Sequence, residues 1–483
     1  MIILLTTIGM IYKHLLVLKK KQENISVIEF PILNKKYDNM TIIDILKFVS
    51  EKYPKIEALK IKQNNTWKTI NYSEYYKMVK NFAQSLNYFL GTGVNVAIYG
   101  YNSSGWFYSY LGTMMNCGTY INIDHNINNK TLKKIINKCK IEMLVIENDK
   151  ILSKLLQLGK TSIKLIVYYS PINPKIIKKI PSDIILLGMT TFMSKKNKLE
   201  KNPSVNDIAQ IIYKNRTLNG SSIDKNPKGV MLTHQNLMYS VKKFLEILKL
   251  KSSVKLAQER IVSYLPLSNL FTQYMDIFIP ICTLSTVWFS DKNALDNNKP
   301  TLIKTFGDVK PTILLGNINL WNLFKNKITN EINSISGSLT KTLTPWKILD
   351  TLYLTNCKYF INLDNNISND LLNYFKLNDI NLHKIFGDNE TSGIIAFEAP
   401  GMSRINSVGL PICEIKISNT NQLYLKGNNV FVGYFEDQKL DNDFFEKKND
   451  QHIFTNDGFL ITKYLAKMDT DNFIYTDYML HLE

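Results

Sequence analysis

The sequence predicts an α/β protein built as two α/β layers plus a small β-barrel-like module. Three observations lead there. From Asp38 onward, short apolar strands alternate with amphipathic helices, the pattern of a largely parallel sheet covered by helices. The alternation recurs in the second half of the chain. From Gly409 the elements become short and β-like, punctuated by turn signals at Gly427-Asn428 and Gly433. A chain of 483 residues is long enough for two or three domains and a large buried core.

Taken in order, residues 41–49 have helical periodicity, and 67–72 read as a short strand entering a helix over 73–90. A strand at 94–99 runs into Gly100-Tyr101-Asn102-Ser103 as turn and cap, then a helix over 106–117. Strand 120–123, helix 130–138, strand 142–146, a further helix and strand 163–169 follow. An apolar strand at 208–213 closes this half, and strands at 261–264, 286–289, 312–315 and 359–362 mark the next. No internal repeat suggests a solenoid.

The formal net charge of +18 raises nucleic acid, anionic membrane and acidic substrates as partners. The lysines are spread along the whole chain, with no zinc-finger spacing, homeodomain-like helix or RNA-binding aromatic signature. Nucleic acid is therefore not an expected partner. Solvated lysine faces explain the charge first, and a weak attraction for anionic lipid second. Cys117, Cys139, Cys282, Cys357 and Cys413 are odd in number and widely separated, so free thiols in a reducing compartment are expected. The scattered histidines offer no zinc site.

Residues 1–18 are almost wholly apolar, broken by Lys13 and His14, and end at Lys19-Lys20-Lys21. A cleaved signal peptide carries its positive charge before the apolar core, which is not the order here. A signal anchor or interfacial helix over 1–22 fits better, with the lysines on the cytosolic side of the endoplasmic reticulum or a similar membrane. A helix of the folded body is the alternative, with a cytoplasmic location. The main globular body is expected over 23–475.

Chemistry is expected first at Asn226-Pro227-Lys228-Gly229-Val230-Met231-Leu232-Thr233-His234, which follows strand 208–213 after a loop rich in Asn, Ser and Lys. A loop bearing lysine and glycine between strand and helix can cradle phosphate with its backbone N–H groups and its cation. An ordinary surface loop is the other reading.

Further blocks follow a fixed order. Gly100-Tyr101-Asn102-Ser103-Ser104-Gly105-Trp106 is similar to G-x-N-x-x-E-W, and Ser263-Tyr264-Leu265-Pro266-Leu267-Ser268-Asn269 to S-Y-L-P-L-S-H. Lys310-Pro311-Thr312 is similar to K-P-T, and Phe386-Gly387-Asp388-Asn389-Glu390-Thr391-Ser392-Gly393 to Y-G-M-T-E-T-S-G. Lys426-Gly427-Asn428-Asn429-Val430-Phe431-Val432-Gly433-Tyr434 is similar to R-G-x-x-V-F-x-G-Y, and Thr455-Asn456-Asp457 to T-G-D. With the Pro227 to His234 block, this series resembles the AMP-forming acyl-CoA synthetases, the adenylate-forming enzymes, and in spelling the bubblegum-type long-chain fatty acid–CoA ligases.

The resemblance implies an adenylation domain over 23–475 and a two-step reaction. A long-chain fatty acid attacks the α-phosphate of Mg²⁺-bound ATP to give acyl-AMP and pyrophosphate, then CoA displaces AMP. It implies that Glu390 binds Mg²⁺ and that Asn389 stands at the catalytic hydroxyl position, where an amide still donates. Lys228 and Gly229 take the phosphates, Phe386 and Gly387 the adenine, and Asp457 the ribose. Without that context, Glu390 reads as a solvated glutamate and Asp457 as a turn residue. An acyl chain is expected along 264–267 and 278–281.

Several positions depart from the pattern. The family's small-residue phosphate loop is replaced by a longer stretch carrying Arg216, Leu218 and Ile223. Asn269 replaces a histidine, Asn319 an arginine, and Leu363-Asp364-Asn365-Asn366 a turn of small residues. Residues 476–483 are expected to be a truncated hinge with the swinging C-terminal domain absent. Three readings stand: a catalytically impaired fatty acid–CoA ligase, a pseudoenzyme that binds acyl chain or nucleotide, and a membrane-tethered basic scaffold.

Overall fold

The computed structural model describes residues 39–123, 127–213, 228–250, 258–292, 294–295, 301–334, 344–364, 367–402, 404, 406–435 and 453–477. The apolar N-terminal segment, the loop over 214–227 and residues 478–483 lie outside them. The largest unit is an eight-stranded sheet. From one edge its strands are Gly433–Phe435, Gly229–Thr233, Ile208–Tyr213, Thr119–Ile123, Asn95–Tyr99, Met143–Ile146, Leu165–Tyr168 and Ile185–Gly188. The six from Ile208–Tyr213 outward run parallel; Gly229–Thr233 pairs antiparallel with Ile208–Tyr213, and Gly433–Phe435 antiparallel with Gly229–Thr233. Thr119–Ile123 and Met143–Ile146 are buried at every residue, as a parallel strand covered on both faces requires. The helix Ser104–Met115 is likewise buried almost all round, held between this sheet and the helix Tyr72–Leu90.

The second layer is made of two adjoining sheets. One pairs Arg260–Ser263, Thr286–Phe289 and Glu57–Gln63 in parallel, with Thr66–Asn71 antiparallel at its edge. The other runs Ile313–Gly316, Tyr359–Asn362 and Leu382–Phe386 in parallel, then Ala396–Phe397 and Leu410–Pro411 antiparallel. The Thr312 N–H donates to the Arg260 carbonyl (3.0 Å), and the Arg260 N–H to Thr312 Oγ1 (2.8 Å), so the two run on as one layer. The strand Glu57–Gln63 escaped the sequence reading, although Asn64 and Asn65 (φ 49° and 62°) form the left-handed turn that closes its hairpin. The main apolar core lies between the layers, and a smaller one sits under the helices Asn129–Lys138 and Asp149–Leu156.

The third unit is an antiparallel four-stranded sheet of Glu414–Ile417, Gln422–Lys426, Leu460–Met468 and Ile474–Asp477. The chain leaves it after Lys426 and adds Gly433–Phe435 to the edge of the large sheet, so one excursion links the small module to the phosphate-loop strand. No helix among the described residues is long and apolar enough to cross a membrane.

Candidate nucleotide site

Glu390 stands on a tight turn after the strand Leu382–Phe386. Asp388 opens a single 3₁₀ turn, Asn389–Thr391, and Ser392 leaves it in the left-handed region (φ 50°). A Cβ on Gly387 would lie 2.6 Å from the Gly393 carbonyl oxygen, so the turn folds onto itself only with glycine there. The segment after Gly427 clamps it from outside. Ser392 Oγ donates to the Asn429 carbonyl (2.7 Å), Asn429 Nδ2 to the Ile394 carbonyl (3.0 Å), and the Phe431 N–H to the Glu390 carbonyl (2.9 Å). Glu390 and Asn389 are both half-buried on this turn.

Lys228 and Gly229 arrive from the other side. Gly229 begins the strand that pairs with Ile208–Tyr213, and a Cβ there would lie 2.6 Å from Tyr213 Cζ. Its lack of a side chain is thus already demanded by the packed Tyr213 ring. The strand ends in a capping box: the Thr233 N–H donates to Asn236 Oδ1 (2.9 Å) and the Asn236 N–H to Thr233 Oγ1 (3.1 Å), starting the helix His234–Leu248. Asn236 Nδ2 also donates to the carbonyls of Asn428 (2.8 Å) and Val430 (3.0 Å). His234 is buried at that helix start, and burial pulls its imidazole down to about 4, so it is neutral.

Tyr434 joins the two halves. It pairs with Val230 across the sheet edge, its hydroxyl donates to Glu390 Oε1 (3.0 Å), and its ring centroid lies 4.8 Å from the Lys228 ammonium. Three sequence blocks that are far apart in the chain therefore converge on one aromatic side chain. Sequence reasoning used Tyr434 only as a landmark of the last block; its fixed place in that block was the signal that would have found it.

The remaining expected residues, Phe386 and Asp457, have other partners. Phe386 is 2% exposed, packed edge-on against Tyr464 at 4.8 Å. Tyr464 donates to Asp388 Oδ2 (3.0 Å), and Lys463 lies 3.4 Å from the same oxygen. Asp457 is on an exposed turn, where Thr455 Oγ1 donates to it (2.5 Å) and Lys416 pairs with it at 3.4 Å. Those two contacts hold its carboxyl below the usual range. Lys426 donates to the Asp457 carbonyl (2.9 Å). Asp457 thus contacts the basic face of the small sheet, not the Glu390–Tyr434–Lys228 group.

The departures also have structural places. Asn269 caps the short helix Leu270–Gln273, accepting from the N–H groups of Phe271 (2.9 Å) and Thr272 (3.3 Å), while Asn319 is exposed. Tyr264, Leu265, Leu267, Phe278, Ile279 and Ile281, expected along an acyl chain, are all buried in the main core. Beside them Asp276 is buried inside a π-helical turn, accepting from Ser263 Oγ (2.5 Å), which itself accepts from Asn102 Nδ2 (2.9 Å). Among the described residues no cluster of three or more histidine, cysteine or acidic side chains forms a metal cage. A single carboxylate on Glu390 nevertheless fits Mg²⁺, which is commonly held by one or two carboxylates together with substrate phosphates and water.

The family model of the AMP-binding enzyme matches residues 46–435. The chain belongs to that family. Among its relatives, the chain is 25% identical to the long-chain-fatty-acid–CoA ligase ACSBG2 of Mus musculus, over 90% of the chain and 69% of the relative. It is also 25% identical to ACSBG1 of Rattus norvegicus, over 88% of the chain and 62% of the relative. Its fold is similar to that of ATP-bound MatB from Rhodopseudomonas palustris, with a TM-score of 0.66 and 16% identity over 90% of the chain and 78% of that structure.

Proposed function

We propose that this AMP-binding enzyme activates a long-chain fatty acid with ATP and passes it to CoA, at a rate below that of an unaltered family member. One observation carries the reading: Glu390 and Lys228, from blocks far apart in the chain, meet at Tyr434. A carboxylate and an ammonium held on one wall suit a metal-bound triphosphate, because phosphoryl chemistry needs charge neutralisation and alignment more than a protein nucleophile. In this reading Glu390 holds Mg²⁺, which would neutralise charge on the phosphates when bound. Lys228 faces the same phosphates, and Asn389 donates an amide hydrogen near the α-phosphate. Asp457 accepts from the ribose, and Phe386 backs the adenine.

The chemistry balances without a redox partner. A carboxylate oxygen of the fatty acid forms a bond to the α-phosphorus as the bond to pyrophosphate breaks. The CoA thiol then loses its proton to solvent, its sulfur bonds to the acyl carbon, and AMP leaves with the bonding pair. A reduced rate is supported by Arg216, Leu218 and Ile223 where the family has small residues, and by Asn269 and Asn319. The same substitutions favour a non-catalytic nucleotide- or acyl-binding protein as the second reading. Thermal unfolding checks the nucleotide step: MgATP should raise the midpoint by several degrees, and Glu390→Gln should abolish the part that depends on Mg²⁺. A midpoint indifferent to ATP sinks the ligase reading and the nucleotide-binding form of the second, and leaves an acyl-binding protein or the basic scaffold.

Residues 1–22 carry the second part of the proposal, a tether to the cytosolic face of a membrane, supported by the apolar run ending at Lys19-Lys20-Lys21. Deleting them should move the protein from the membrane pellet to the supernatant; a full-length chain already in the supernatant would refute the tether.

A further inference from the structure

We propose that Tyr434 is a positioning residue that orients Glu390 toward the metal-bound nucleotide and keeps it apart from Lys228. This rests on the assignment of Glu390 and Lys228 to ATP. Tyr434 is fixed at the backbone by its strand, since Gly433, Tyr434 and Phe435 pair in register with Met231, Val230 and Gly229. Its ring is braced by Phe431, whose centroid is 4.9 Å away and whose N–H donates to the Glu390 carbonyl (2.9 Å). A side chain set this firmly presents two different surfaces to its neighbours.

The hydroxyl donates to Glu390 Oε1 at 3.0 Å, a charge-assisted bond that fixes the rotation of the carboxylate. Rotation matters because Mg²⁺ demands near-ideal octahedral geometry and tolerates a misplaced oxygen poorly. The ring face takes the ammonium of Lys228, an exposed side chain, at 4.8 Å. Among the described residues Lys228 and Glu390 make no direct ion pair. An ammonium and a carboxylate on one wall attract each other, and their collapse into a pair would withdraw both from a ligand. The tyrosine ring gives the lysine another seat, so cation and anion remain side by side.

The two surfaces separate by mutation. Calorimetric titration of the full-length chain with ATP, with and without Mg²⁺, gives a ratio of affinities within each variant, so a partly destabilised variant still reports. Tyr434→Phe keeps the ring and loses the hydroxyl. It should cut the tightening by Mg²⁺ about tenfold, the scale of one charge-assisted hydrogen bond, and leave metal-free ATP binding unchanged. Tyr434→Leu should also weaken metal-free ATP binding. Adding Tyr434→Phe to Glu390→Gln should change nothing further. If Tyr434→Phe keeps the parental Mg²⁺ ratio while Glu390→Gln loses it, Tyr434 only packs and the positioning role is overturned. If Glu390→Gln keeps the ratio, or the parent binds no ATP, the nucleotide assignment itself fails and the positioning role with it.

Discussion

Asp276 shows how one residue can load a fold with pH dependence. It is 3% exposed, and burial pushes its carboxyl from 3.8 up to about 8, with the bond from Ser263 pulling the other way. The folded-state value lies above the unfolded one, so the folded chain keeps a proton that the unfolded chain has lost. The stability linked to Asp276 is therefore fully present below pH 3.8, declines as pH rises, and levels off above about 8. The slope is at most about 1.4 kcal/mol per pH unit. Asp276→Asn keeps an oxygen to accept from Ser263 and carries no charge, so its urea midpoint should lose this slope and exceed the parent's at pH 8. Parallel midpoint profiles from pH 5 to 8.5 would contradict the assignment. Nothing in the sequence marked Asp276, because an acid between apolar neighbours is distinguished only by what surrounds it after folding. Glu390 and Lys228 were legible through their blocks. Their meeting at Tyr434 was not, since it depends on the register of a three-residue strand.

At the scale of elements, the helix start at Thr233 is the hinge of the site. Asn236 completes the capping box and reaches out to the carbonyls of Asn428 and Val430, so a single side chain fixes both the helix and the segment bearing Phe431 and Tyr434. Asn236→Ala should destabilise the protein by about 1–2 kcal/mol, half of a capping box plus the two hydrogen bonds to the part-buried Asn428 and Val430 carbonyls. Asn236→Asp retains the cap and loses the donor, so it isolates the second effect. In both variants amide exchange over 428–434 should accelerate more than in the rest of the large sheet. Uniform acceleration would mean that Asn236 matters only to global stability. Strands with long apolar runs, such as those at 208–213, 286–289 and 359–362, were readable from the sequence because both faces are buried. Glu57–Gln63 was not, because its alternation of apolar and charged residues is half exposed and resembles a loop with lysines. The small module takes the form of an open antiparallel sheet, and its contribution of Gly433–Phe435 to a neighbouring sheet has no signature in composition.

For the whole molecule, the order of blocks along the chain, the two layers and the family agree, which places this protein among the AMP-binding enzymes. What the fold brings together is a wall carrying Glu390, Tyr434 and Lys228, with Asp457 and its lysines on the adjoining small sheet. On the proposed reading, the altered positions lower the rate. Misplacing a phosphate by about 1 Å costs around 10²-fold, and losing one stabilising donor costs about 10²–10³-fold. Against a typical turnover of about 10 s⁻¹, adenylation is expected at or below about 0.1 s⁻¹. The most direct test is palmitate-dependent exchange of labelled pyrophosphate into ATP by the purified full-length chain, because it reads acyl-AMP formation without requiring CoA. The predicted result is slow exchange that requires both palmitate and Mg²⁺ and is lost in Glu390→Gln. ATP binding with no palmitate-dependent exchange above the Glu390→Gln background would contradict the ligase reading.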